Sequence, residues 1–300
     1  KQGMLTADGV DGVGQLDWDP LGVVPEAGLV PAAERLDYPR LKNLLSPRPR
    51  SAHKGKHGKV LLVGGNAGMQ GAIVLAARAC LRAGAGLVRV CQHPDQLPAS
   101  LYQAELMGSQ GGDEESWASV RVVGPGLGQD EWGRRHFESF VNEQVPLVLD
   151  ADGLNWLAQC PRHQDNWVLT PHPGEAARLL GCTIAEIAAD RFAAVQRLQQ
   201  RFGGVVLLKG AGTLIHDGKG MALCDEGNPG MASGGMGDLL SGIIAALLAQ
   251  SWSAAEATRL GAVIHGEAAD LAAADGERGM LASDLLPFIR RLVNPDTITS

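Results

Sequence analysis

From His53 onward, short apolar runs alternate with glycine-rich polar loops and longer amphipathic stretches. KVLLV, Lys59 to Val63, is bounded by Gly58 and Gly64 and predicts a buried strand. GAIVLAARACLRAGAG follows. It puts Ile73, Ala76, Ala77, Cys80 and Leu81 on one helical face and ends near Gly84. Further strands are predicted at Leu87 to Cys91, Val120 to Val123, Pro146 to Leu149, Trp167 to Leu169 and Val205 to Leu208. Helical patterns cover Asp130 to Asn142 and Ala189 to Phe202. Two β runs, Leu214 to His216 and Met221 to Cys224, flank Asp217-Gly218 and read as a hairpin. The remainder is helical: Asp238 to Ala249, Ala254 to Ala274 and Leu281 to Leu292.

Strand, glycine loop, helix is the repeating unit. Buried strands in such alternation imply an α/β fold, a mostly parallel sheet with helices on both faces. Ligands then bind beyond the carboxyl ends of the strands. GGNAGMQGA, GPGLG, DADG, TPHPGE, KGAGT and GGMGD all fall there.

GNPGMASGGMGDLL, Gly227 to Leu240, carries the strongest chemical signal. Its five glycines run into an apolar helix, and such a backbone presents N–H donors and a positive dipole end to an anion. Asp238 stands at the mouth of that helix. It is either a helix cap or a base beside whatever phosphate the glycines hold. The glycine run favours the base, because a plain cap needs no such run.

The other loops leave alternatives open. Asp150 and Asp152 end a strand; one would cap the next helix and the other hold a magnesium-bound water. Glu175 would cap its helix or face the metal. His172, between two prolines in a rigid loop before a helix, is either structural or a substrate contact, and its rigidity and location favour contact. Lys209 either snorkels or meets a phosphate. No GxxxxGK[ST] occurs and the glycines do not fit GxGxxG, which argues against a P-loop enzyme and a Rossmann dehydrogenase.

Composition narrows the class. A net charge of −7 argues against general nucleic-acid binding. Five scattered cysteines without a CxxC pair read as reduced, mostly buried thiols in the cytoplasm, with no structural zinc. No apolar run approaches the ~20 residues that span a bilayer. Residues 1–45 are turn-rich and read as a loosely packed lead-in without chemistry, with SPRPR as a linker before a domain at 46–300.

In combination, HKGKHGKVLLVGG, AGAGLV, GPGLG, LDADGL, LTPHPGE, LLKGAGT and GNPGMASGGMGD resemble the ADP-dependent NAD(P)H-hydrate dehydratases, over roughly residues 40 to 295. The resemblance implies a ribokinase-like three-layer α/β/α fold with a mostly parallel central sheet. It implies repair of the S epimer of hydrated NADH or NADPH, with ADP as co-substrate, Mg²⁺ present and AMP and phosphate released. Asp238 would be the catalytic base, and Gly234, Gly235 and Gly237 the anion hole. Lys209, Gly210, Ala211, Gly212, Thr213 and Gly237 would contact ADP. Ala72, Gly126, His172 and Asp238 would contact the hydrated dinucleotide. No direct metal ligand is assigned; Asp150 and Glu175 would act through water. Met236 departs from the small or hydroxylated residue many superfamily members carry. KQGMLT and GQLDWDPLG resemble the tail of an epimerase domain found in bifunctional relatives. The family's cytoplasmic homotetramer is the expected assembly. A small-molecule kinase of the same superfamily is the alternative, and a non-catalytic nucleotide sensor the third reading.

Overall fold

The computed structural model describes residues 2–14, 16, 17, 19, 21–24, 28–109, 116–141 and 144–294. Its strands are β1 (Glu34–Leu36), β2 (Lys59–Val63), β3 (Leu87–Cys91), β4 (Met107–Gly108), β5 (Val120–Val123), β6 (Leu147–Leu149), β7 (Trp167–Leu169), β8 (Val205–Leu208), β9 (Thr213–His216) and β10 (Met221–Cys224). The helices are α1 (Gly9–Val13), α2 (Tyr38–Leu41), α3 (Gln70–Arg82), α4 (Glu131–Phe140), α5 (Asp152–Gln159), α6 (Pro173–Leu180), α7 (Ile184–Ala189), α8 (Arg191–Phe202), α9 (Met236–Ala249), α10 (Ala254–Ala272) and α11 (Leu286–Leu292).

The strands form one sheet in the order β1-β10-β9-β8-β7-β6-β5-β2-β3-β4. Pairing is parallel except where β9 meets β8 and β10, so the predicted hairpin is present as β9–β10. Strand side chains alternate between two cores, as a period of two demands. Val60 and Leu62 of β2 pack toward α3, α9, α10 and α11. Leu61 and Val63 face the opposite layer, with α4, α5, α6 and α8. The result is the predicted three-layer arrangement.

Two boundaries differ from the sequence reading in ways that matter. Helix α9 begins at Met236, two residues before Asp238. Gly235 precedes it in a left-handed conformation (φ +93°) that the neighbouring Leu75 side chain leaves open only to glycine. The predicted 130–142 helix ends at Phe140, and Asn142 lies outside the described residues.

The lead-in also needs correcting. Residues 34–41, inside the stretch expected to be loose, are built into the domain. β1 pairs with β10, and Leu36 is 3 % exposed in the core. Arg35 clasps Asp225 through two nitrogens, and the Tyr38 amide donates to Glu226 at 2.7 Å. Further upstream, the Ala7 amide donates to the Ala211 carbonyl at 3.1 Å, against the KGAGT loop.

Candidate active site

At the carboxyl edge of the sheet, four ionisable side chains from four separate segments meet: Asp150, Glu175, Lys209 and Asp238. Lys209, just past β8, donates to Asp150 Oδ1 at 2.8 Å and lies 3.9 Å from Glu175 Oε2. Ser241 of α9 donates to the other Asp150 oxygen at 2.8 Å. Asp150 is 1 % exposed, so both its oxygens are satisfied within the protein. Burial pulls the Lys209 ammonium pKa down, but Asp150, Glu175 and Asp238 outweigh it, and the net shift is upward.

Asp238 is the third residue of α9 and makes no hydrogen bond or ion pair among the described residues. The helix has no side-chain cap, so the capping role for Asp238 is not realised. The first amides of α9 therefore remain free at the helix mouth. Burial, with the nearby Asp150 and Glu175 carboxylates, raises the Asp238 pKa to about 7, against the pull of Lys209. Gly237 fits between these groups: a Cβ there would lie 3.1 Å from Lys209 Nζ. Gly234 and Gly235 precede it on the same turn.

His172 does something the sequence did not specify. Its Nδ1 accepts from the Gly174 amide at 2.9 Å and caps α6, while Glu175 Oε2 accepts from the His172 amide at 2.8 Å. The acceptor role of Nδ1 puts the proton on Nε2, 3.4 Å from Glu175 Oε1. Burial, with Lys209 and Arg178 nearby, lowers the imidazole pKa. His172 is therefore a neutral, half-exposed ring locked beside the carboxylate cluster. Burial pushes the Glu175 pKa up.

Neither Asp150 nor Asp152 caps α5, contrary to expectation. Ala151 occupies the cap position, and Asp152 accepts instead from the Gly128 amide at 2.9 Å. That bond ties the DADG loop to GPGLG. A Cβ on Gly124 would strike the Asp150 carbonyl, so glycine is required for this approach. GPGLG in turn holds the loop after β2: the Gly65 and Asn66 amides donate to the Pro125 and Gly126 carbonyls at 3.0 and 2.7 Å. Ala72 lies in the first turn of α3 just beyond that loop. The predicted substrate residue Gly126 thus lies in a loop bonded to the one that leads into α3, where the other, Ala72, sits.

Direct metal ligation does not fit the Asp150–Glu175 pair. Their oxygens already serve Lys209, Ser241 and the His172 amide. No metal-holding group of three or more His, Cys, Asp or Glu occurs among the described residues.

The KGAGT loop lies beside the cluster. Thr213 Oγ1 donates to the Gly210 carbonyl at 3.1 Å and closes the turn. Three contributors escaped sequence reasoning. Ser241 sits within an apolar helix. Arg191, at the start of α8, is 6 % exposed beneath the loop. His265 of α10 is buried with Nε2 unpartnered; burial and Lys209 push its pKa down to about 4, and its ring lies by the Met236 backbone. Only the DR sequence at 190–191 carried a signal, because a cation at a helix N-terminus opposes the dipole.

A mostly parallel sheet between helical layers, with a free carboxylate at the uncapped mouth of a glycine-entered helix, defines a ribokinase-like α/β/α protein. The family profile described as NAD(P)H-hydrate dehydratase matches residues 60–291. The chain belongs to the NAD(P)H-hydrate dehydratase family. It is 48 % identical over 304 residues to the bifunctional NAD(P)H-hydrate repair enzyme of Vibrio cholerae, covering 98 % of this chain and 62 % of that protein. The chain thus spans less than two thirds of that relative. Against the ADP-dependent (S)-NAD(P)H-hydrate dehydratase of Neisseria meningitidis, identity is 39 % over 274 residues, 85 % of this chain and 91 % of that one. The ADP/ATP-dependent NAD(P)H-hydrate dehydratase of Bacillus subtilis, co-crystallised with ATP and Mg²⁺, superposes with a TM-score of 0.78 at 25 % identity, covering 87 % of this chain and 97 % of that chain.

Proposed function

We propose that this chain uses ADP to dehydrate the S epimer of hydrated NADH or NADPH, returning NAD(P)H with AMP and phosphate. Dehydration, a hydro-lyase reaction, is the activity for which its family is named. Asp238 carries the reading: an unpartnered carboxylate with a pKa near 7 at the open mouth of α9 is poised to take a proton at neutral pH. The hydrated dinucleotide lies over Ala72, Gly126 and His172, its ring hydroxyl against Asp238. ADP lies along Lys209 to Thr213, with Gly237 beside its adenylate part.

Asp238 accepts the hydroxyl proton as that oxygen attacks the terminal phosphorus, and the bond to AMP breaks. The amides of Gly234, Gly235 and Gly237 hold the developing charge. The ring nitrogen lone pair then expels the phosphate, and loss of a proton from the adjacent carbon restores the dihydronicotinamide. Mg²⁺ would accompany the nucleotide phosphates and supply charge neutralisation there.

The stretch 1–45 resembles the tail of an epimerase domain, and that origin is proposed for its residues 1–33, since β1 and α2 belong to the sheet domain. The high exposure of Leu21, Val23, Val24, Leu29 and Val30 supports this, since such apolar groups are normally covered. Cytoplasmic location and a homotetramer rest on the family likeness alone; light scattering checks the latter.

The test mixes purified protein with hydrated NADH, Mg²⁺ and either ADP or ATP, and follows the return of dihydronicotinamide absorbance. Recovery that Asp238→Asn abolishes supports the reading. No recovery, with phosphorylation of a simple alcohol instead, replaces it with the kinase.

A further inference from the structure

We propose that Arg191 is a positioning residue for the nucleotide loop: its guanidinium holds the loop carbonyls inward so that the loop amides face the ADP phosphates. The inference rests on the reading of Lys209 to Thr213 as the ADP loop.

The geometry is specific. Arg191 NH1 donates to the Ala211 carbonyl at 2.5 Å. Its NH2 donates to the Leu208 and Lys209 carbonyls at 3.3 and 3.2 Å. In a trans peptide, the carbonyl of one residue and the amide of the next point in opposite directions. Fixing these three carbonyls therefore turns the amides of Lys209, Gly210 and Gly212 away from the guanidinium. The Lys209 amide is used at once, donating to the Pro171 carbonyl at 2.8 Å. The Gly210 and Gly212 amides donate to nothing among the described residues. Both glycines have positive φ, +137° and +63°, which this reversal of peptide planes requires.

Placement and charge agree. Arg191 is the first residue of α8, where a cation opposes the helix dipole, so helix stability does not explain it. It is 6 % exposed, and no carboxylate pairs with it among the described residues. A buried guanidinium with only carbonyl partners leaves its charge uncompensated directly behind the loop. A Cβ added at Gly210 would lie 3.1 Å from NH2, so glycine there lets the loop stay close to the guanidinium. A phosphate in front of the loop would supply the missing negative charge. With Arg191 gone, a carbonyl swung outward would face that phosphate with the wrong sign.

The experiment uses the full chain with Arg191→Gln and Arg191→Lys. ADP affinity is measured by calorimetry, folding by circular dichroism and melting, and ADP-dependent amide exchange at residues 208–213 in the parent protein. The expected result is that ADP slows exchange in the loop and that Arg191→Gln weakens ADP binding about tenfold or more. The KM for ADP should rise with it, while kcat at saturating ADP and affinity for hydrated NADH stay within about twofold. Arg191→Lys should also lose affinity, since an ammonium is not a planar fork and cannot span three carbonyls. No exchange protection in the parent would sink the ADP-loop reading itself. Protection there, with either folded variant binding ADP as the parent does, would overturn the role of Arg191 alone. If neither variant folds, Arg191 serves the core rather than the loop, and the proposal is likewise overturned.

Discussion

Asp238 and Lys209 set the chemistry at the residue scale, and each has a pH or stability signature. A base with a pKa near 7 makes kcat/KM rise with pH up to about 7 and level off above it. Asp238→Asn should lower the rate about 10²–10⁴-fold, the usual worth of a positioned base. The linkage has a definite sign. The folded pKa lies above the unfolded 3.8, so the native carboxylate costs stability as pH rises through that interval. Asp238→Asn should therefore melt higher than the parent at pH 8. The difference should shrink below about pH 7 and vanish under pH 4 in thermal melts. Lys209→Met leaves the Asp150 carboxylate, 1 % exposed, with Ser241 as its side-chain partner. Breaking a buried pair in this way should cost about 3–5 kcal/mol in urea unfolding. The sequence pointed to Asp238 because glycines announce it. It was silent on Ser241 and marked Arg191 only as a cation at a helix start; both roles exist only because Asp150 and the Leu208, Lys209 and Ala211 carbonyls are brought to them.

At the scale of elements, α9 carries the site and α3 holds α9 in place. Gly242 is where the two helices touch: a Cβ there would run into the Ala76 carbonyl and crowd the Ala79 side chain. Gly242→Ala should lower stability by about 1–3 kcal/mol, read in thermal melts, because the obstacle is backbone and cannot rotate away. Strands were legible where the apolar run was continuous, as in KVLLV or VVLL, since burial on both faces needs no partner to be visible. β1 was not. Its ERL reads as polar turn, and only the parallel pairing with β10 and the burial of Leu36 make it a strand. The helices α5 and α6 were anticipated after DADG and TPHPGE, and so was Glu175 as a cap of α6, which takes the His172 amide; Ala151 and His172 as the cap positions were not. Glu at the third helical position is a local capping signal, whereas Ala151 at φ +46° follows from packing that no local preference encodes.

For the whole molecule, the lead-in divides in two. Removing residues 1–30 should leave the sheet and its melting cooperativity intact. Removing residues 1–41 should not, because it deletes β1, the Arg35–Asp225 clasp and the Tyr38 contact, and bares the edge of β10 to self-association. Melting and light scattering of the two truncations distinguish them. The thiols report on the same compactness. Cys160 is exposed and should react first with a thiol reagent. Cys80 and Cys224 should react only on unfolding, since burial raises both pKa values, that of Cys224 to about 12. The sequence by itself determined the βα alternation, the layer order and the loops that hold the chemistry. Apolar periodicity and glycine placement are local properties and survive in one dimension. Tertiary structure alone decided which charges meet. Lys209 is 59 positions from Asp150, Ser241 is 91, and burial of Asp238 beside the Asp150 and Glu175 carboxylates, against the pull of Lys209, lifts its pKa into the range where it can act as a base.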